Sequence, residues 1–166
     1  RDMNKRITVK DLRDLKGKKK LVSILVKNVD EAKAANKVGF EMLATGSPGV
    51  YLNPDNHPEF EEIIQIRKTA PNAFMHWGAA DTLYSGLIEA TRVAFKALEY
   101  GIDMFYCHNN FELIRGLYKE GIPGLGHVGL VPSRRTWTGG FKAVGKNSHE
   151  AMMIYDQCLK IQDAGG

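Results

Sequence analysis

Two cysteines, Cys107 and Cys158, are all that the 166 residues contain, and they lie far apart with no metal-type spacing. A disulfide scaffold and a cysteine-built metal centre are therefore both excluded, and a reducing compartment, the cytoplasm, is the expected location. No apolar run approaches the length of a membrane span, so a soluble chain without a membrane partner is expected. No charged-then-apolar leader stands at the start, and Arg1 in place of methionine points to a trimmed or internally started chain. A net positive balance is missing outside residues 1–20, where nine Lys or Arg face three Asp; the rest of the chain is slightly acidic although the total is +4. Lys16, Lys18, Lys19 and Lys20 lack the interleaved aromatics or arginine stripe of a nucleic-acid surface, which leaves a solvated turn and no nucleic-acid partner.

What is present is a 43% hydrophobic composition distributed as strands alternating with helices, enough for one domain over 1–166. Thr8 and Asp11 suit the start of a short helix through Leu15, ended by Gly17. Strands are expected at 21–26, 40–44, 73–77 and 103–107, and helices at 30–37, 59–68, 86–100 and 111–120. A last helix covers 148–164, with Ser148 as its N-cap and Gly165 as its stop. This alternation implies a parallel α/β sheet.

The stretch 121–145 is the best functional pointer. Ile122, Pro123, Leu125 and Val128 form an apolar run too short for a helix, hence a fifth strand, and His127 stands near its carboxyl end. Pro132, Ser133, Arg134, Arg135 and the Gly139–Gly140 pair then supply a loop suited to closing over a small anionic ligand. Loops beyond the carboxyl ends of parallel strands are where α/β folds place their sites; the competing reading is a core histidine beside an ordinary connection. Gly124 and Gly126 form no dinucleotide fingerprint, because the strand-to-helix setting and trailing acid are absent.

The strings GHVGLVPS (126–133) and GGFKAVGK (139–146), with ITVKDLRDLKGKKK (7–20), Ala70-Pro71-Asn72 and Tyr84, closely resemble segments of ketopantoate hydroxymethyltransferase. That family belongs to the phosphoenolpyruvate mutase and isocitrate lyase superfamily. The resemblance covers residues 7–165 and implies a TIM (β/α)8 barrel, of which about the first five βα units are present here. It further implies transfer of a hydroxymethyl group from methylenetetrahydrofolate to a small α-keto acid whose enolate is held by Mg²⁺, in a homo-oligomer.

The family's metal-binding aspartates fall at Ala44-Thr45-Gly46-Ser47, where only the serine matches, and at Gly78, with Asp81 three residues further on. Its fourth-strand lysine and glutamate fall at Tyr106 and His108, its catalytic glutamate falls beyond Gly166, and its loop is shortened at 49–57. By resemblance, Ser47, Gly46, His127 and Arg134 bind the keto acid, while Tyr106 and His108 contact the enolate alongside His127. Strand alternation also places His76, His108 and His127 on inward positions of neighbouring strands. Histidine ligation by His76 and His108 would select a transition metal over Mg²⁺; the alternative is that His76 is core and His108 caps the next helix. The function expected is formation or cleavage of a C–C bond at an α-keto acid. The alternatives are a superfamily lyase or aldolase with altered or no metal, and a barrel that has lost turnover.

Overall fold

The computed structural model describes residues 6–46, 60–79 and 84–166. Five strands, β1 (Ser23–Leu25), β2 (Met42–Gly46), β3 (Phe74–Gly78), β4 (Met104–Tyr106) and β5 (Gly124–Leu125), form one parallel sheet in the order β1-β2-β3-β4-β5. Each strand lies beside its predecessor with no reversal of direction along the sheet, so there is no topological switch point of the doubly wound kind. This is the winding of a β/α barrel left open after five units.

The register fixes which side chains share a level. Ala44 pairs with His76 and His76 with Met104, while Thr45 pairs with Trp77 and Trp77 with Phe105. Leu43, Thr45, Met75, Trp77, Phe105 and Cys107 point one way and are buried under the helices. Met42, Ala44, His76, Gly78, Met104 and Tyr106 point the other way, toward what would be the barrel interior, and are only partly covered.

Helices follow each strand. α1 (Val9–Leu15) precedes the sheet and is held by a capping box in which Thr8 and Asp11 bond each other's backbone N–H. α2 (Val29–Lys37) starts at Asn28, α3 (Phe60–Thr69) packs on α2, and α4 (Gly86–Glu99) presents Ala90, Ala94 and Ala97 to the core. These small side chains let α4 lie close to β4 while Ile63, Ile66, Phe105 and Leu117 supply the bulk. α5 (Phe111–Lys119) buries Leu113, Ile114 and Leu117.

Two expectations change here. The 121–145 loop is not glycine-rich coil throughout: Pro132–Arg134 makes a 3-10 turn that runs into α6 (Arg135–Thr138), started by the preset φ of proline and stopped by left-handed Gly139. And α7 (Ser148–Asp163) is capped by Asn147, whose side chain accepts from the Glu150 N–H, so Ser148 is the first helical residue rather than the cap. Asn and Ser are near-equal caps by type, and composition alone does not separate neighbours.

At the amino-terminal end of the sheet, Arg67 of α3 ties the layers together. Its guanidinium donates to the carbonyls of Gly101 (2.8 Å), Ala70 (3.1 Å), Pro71 (3.2 Å) and Ala73 (2.7 Å) and to Asp103 Oδ2 (2.7 Å). The same carboxylate oxygen accepts from the Met75 N–H at 2.8 Å. One largely buried cation thus holds the carbonyls of Ala70 and Pro71.

Candidate active site

The carboxyl ends of β4 and β5 bring three rings together. Tyr106 closes β4, and its hydroxyl is hydrogen-bonded to Nδ1 of His127, two residues past β5. The Tyr106 ring meets the His108 ring edge-on, with centroids 4.8 Å apart, and lies 5.7 Å from the His127 ring. The His127 N–H donates to the His108 carbonyl at 2.8 Å, which extends the β4–β5 ladder and fixes both histidines at one level. His108 is buried and holds φ at +51°, a left-handed backbone that non-glycine residues adopt at a cost.

Burial and the neighbouring His108 push the His127 imidazole below its ordinary pKa, so His127 is neutral at pH 7. With Nδ1 engaged by Tyr106, its Nε2 is the nitrogen left to face a ligand. Cys107, between Tyr106 and His108, points into the core instead, and burial pushes its thiol up to about 12.

Gly78 explains part of this arrangement. A Cβ at that position would lie 3.5 Å from Cδ1 of Tyr106, so the tyrosine ring stands over the glycine. Any side chain longer than a methyl group at 78 would displace it. Gly46, level with Gly78, has φ +100°, and a Cβ there would sit 2.3 Å from the Gly78 carbonyl; no side chain fits.

The other expected site residues are placed as follows. His76 lies on the inward face level with Met104 and 3.4 Å from the Ser23 hydroxyl, its pKa lowered by burial, and it is not brought to His108, which follows beyond the end of β4. Arg134 lines a 410 Å³ pocket with His108, Asn109 and Tyr84. Ser47 and Asp81 lie outside the described residues. Asn109, Tyr84 and Trp137 were not singled out from sequence as ligand-facing, although a lone tryptophan between two arginines and a glycine pair is a visible signal.

The family model for ketopantoate hydroxymethyltransferase matches residues 67–166, which span β3, the three-ring cluster and the loop above it. The chain belongs to that family. The ketopantoate hydroxymethyltransferase family relatives include a 3-methyl-2-oxobutanoate hydroxymethyltransferase from Thermus thermophilus, 32% identical, with 96% of this chain aligned to 66% of that protein. Another, from Staphylothermus marinus, is 28% identical over 97% of this chain and 64% of its own length. The chain therefore spans just under two thirds of these curated relatives. Among solved structures it resembles 2,3-dimethylmalate lyase, a PEP mutase/isocitrate lyase superfamily member (TM-score 0.60, 16% identity, 96% of this chain and 61% of that one). It also resembles oxaloacetate acetylhydrolase (TM-score 0.61, 14% identity, 95% and 60%). At these identities the likeness is one of fold, and it agrees with a partial barrel.

The divalent ion expected of a ketopantoate hydroxymethyltransferase relative finds no matching donor set among the described residues. Among the described residues no three His, Cys, Asp or Glu side chains approach a common point, and the Gly78 position faces a tyrosine ring. The described residues do not fit that ion. What they offer is a neutral imidazole oriented by a phenol, a second imidazole beside it, and an arginine at the pocket wall.

Proposed function

We propose that this protein makes or breaks a C–C bond at a small α-keto acid, with hydroxymethyl transfer to 3-methyl-2-oxobutanoate as the leading reaction. The observation that carries this reading is the Tyr106–His127 pair set at the strand ends, with His127 inside the GHVGLVPS motif shared with the family. With the Tyr106 hydroxyl donating to Nδ1, Nε2–H of His127 donates to the keto oxygen and strengthens that bond as negative charge develops there on enolisation. Arg134, in the wall of the pocket that also holds His108, meets the substrate carboxylate. Ser47 and Gly46 complete the keto-acid contacts, with Gly46 giving backbone only. A cytoplasmic homo-oligomer goes with the same reading and is checked by analytical ultracentrifugation.

The test is deuterium exchange at carbon 3 of 3-methyl-2-oxobutanoate, followed by proton NMR, with no metal, Mg²⁺ or Zn²⁺ added. Exchange by the wild type that falls about a hundredfold in His127→Gln is expected; equal exchange in both would overturn the assignment. The Gly78–Tyr106 pair favours a second reading, a lyase or aldolase with altered or no metal, because it replaces two charged family positions with a packed aromatic contact. Release of formaldehyde from ketopantoate without any folate would select it. Absence of exchange under all conditions selects a barrel that has lost turnover.

A further inference from the structure

Helix α7 is apolar on two opposite sides. Its covered stripe is Ile154, Gln157 and Ile161, with Ile154 standing over Gly145 and Gly129 and Ile161 over Gly126. At about 100° per residue, Met152 and Leu159 come round on the far side of the helix, within roughly 40° of Asp163, and Tyr155 stands at the edge of the same arc. Met152 and Tyr155 are each 57% exposed and Leu159 is 41% exposed. Large apolar side chains lined up on the water-facing side of a helix mark an interaction surface.

Closure of the barrel does not account for this stripe. Lys160 lies over the Phe111 ring of α5, 5.9 Å from its centroid, which identifies the flank of α7 that α5 occupies. A further helix of the same winding would take the opposite flank, against Ala151 and Cys158, and would leave Met152 and Leu159 facing outward.

The stripe also reads the same in both directions. About a midpoint between Tyr155 and Asp156, Met152 and Leu159 are equally distant on either side, and so are Ser148 and Asp163. An antiparallel copy seated here across a twofold axis sets each Met152 against Leu159 of the other copy and Tyr155 against its counterpart. Each Asp163 then lies beside the first turn of the other α7, next to Ser148 and His149, where the helix dipole favours a carboxylate. The complementarity is thus both apolar and electrostatic. Asp156 is the one mismatch, meeting its own counterpart near the axis.

We propose that α7 is a docking surface for a second copy of this chain, the two helices packing antiparallel through Met152, Tyr155 and Leu159. This gives a surface to the homo-oligomer that accompanies the proposed reaction, and rests on that reading for nothing else. A single helix pair is a small interface, so the association is of micromolar strength.

Sedimentation velocity over a concentration series of the wild-type chain is expected to show a monomer–dimer equilibrium. Leu159→Glu, at an exposed position, is expected to keep the wild-type circular dichroism and weaken association roughly tenfold or more, whereas Asp156→Asn is expected to tighten it about threefold by removing the like-charge contact. Orientation is read by trapping in a Cys158→Ser background: a mixture of Met152→Cys and Leu159→Cys chains should form a covalent dimer on mild oxidation, and neither variant alone should do so. A monomer at every concentration, equal association in wild type and Leu159→Glu, or trapping by Met152→Cys alone would overturn the proposal. Proton exchange into the keto acid is measured separately: exchange without association removes the pairing and keeps the function, and Leu159-dependent association without exchange does the reverse.

Discussion

Replacing Arg67 by methionine removes one charge and five donated hydrogen bonds while keeping most of the side-chain stem that packs under the sheet. Both partners of the ion pair are 12% exposed, so solvent does little to repair the loss. Deleting one partner of a buried pair costs about 3–5 kcal/mol, because the other charge is left in a poor environment. Asp103 keeps the Met75 N–H and a 3.3 Å contact from Arg6, which moderates that cost. The carbonyls of Gly101 and Ala73, at 2.8 and 2.7 Å, lose their donor and add about 1 kcal/mol each if water does not replace it. Burial itself draws the Arg67 pKa down, so part of the interaction is already spent on desolvation.

The net expectation is a loss of roughly 4 kcal/mol, a drop of about 10 °C in midpoint for a chain of this length. Urea unfolding followed by far-ultraviolet circular dichroism measures it. Asp103→Asn, which keeps an acceptor for Met75, should cost roughly half as much, and the double variant should be less harmful than the two single losses added together. A change under about 1 kcal/mol in Arg67→Met would refute the view that this cation organises the lower end of the sheet.

Four further outcomes are expected. His76 and His127 both hold folded pKa values below the ordinary imidazole value, so the unfolded chain binds more protons. Stability is full above about pH 6.5 and is lost as pH falls from there toward the folded values; midpoints measured between pH 7.5 and 5.5 should decline, less steeply in His76→Gln. Cys107, raised to about 12 and buried, should resist a thiol reagent at pH 8 that modifies exposed Cys158, giving one labelled thiol in the native protein and two in urea. Gly46→Ala should destabilise by at least about 2 kcal/mol, read by thermal unfolding, since neither the backbone angle nor the space at Gly78 accepts a methyl group. Tyr106→Phe should leave the fold intact and slow keto-acid proton exchange about tenfold, by freeing His127 to take either tautomer.

The fold was legible because hydrophobic runs and caps agree at each step. Thr8–Asp11 makes its capping box, and every expected strand appears, with β1, β4 and β5 shortened to residues that have ladder partners and β2 and β3 shifted two and one residues toward their carboxyl ends. Helix ends were less so: Asn147 and Ser148 are both good caps, and only the Glu150 N–H chooses between them. In the site, His127 and His108 were found as near neighbours from strand alternation, but His76 sits lower on its strand, a separation that depends on register and not on side-chain type. The packing of Tyr106 over Gly78 was not visible, since two residues 28 positions apart reveal their fit only when the strands are side by side. The α6 turn and its exposed tryptophan were hidden by a glycine content that reads as loop.

The left-handed backbone at His108 has a consequence for how this chain would change under selection. Most side chains are held away from a φ of +51°, whereas glycine pays nothing there and asparagine little. A library screened only for heat resistance should therefore enrich glycine and asparagine at position 108, while one screened for keto-acid chemistry should return histidine. Divergence between the two pools at that one codon would separate what the ring does from what the backbone tolerates.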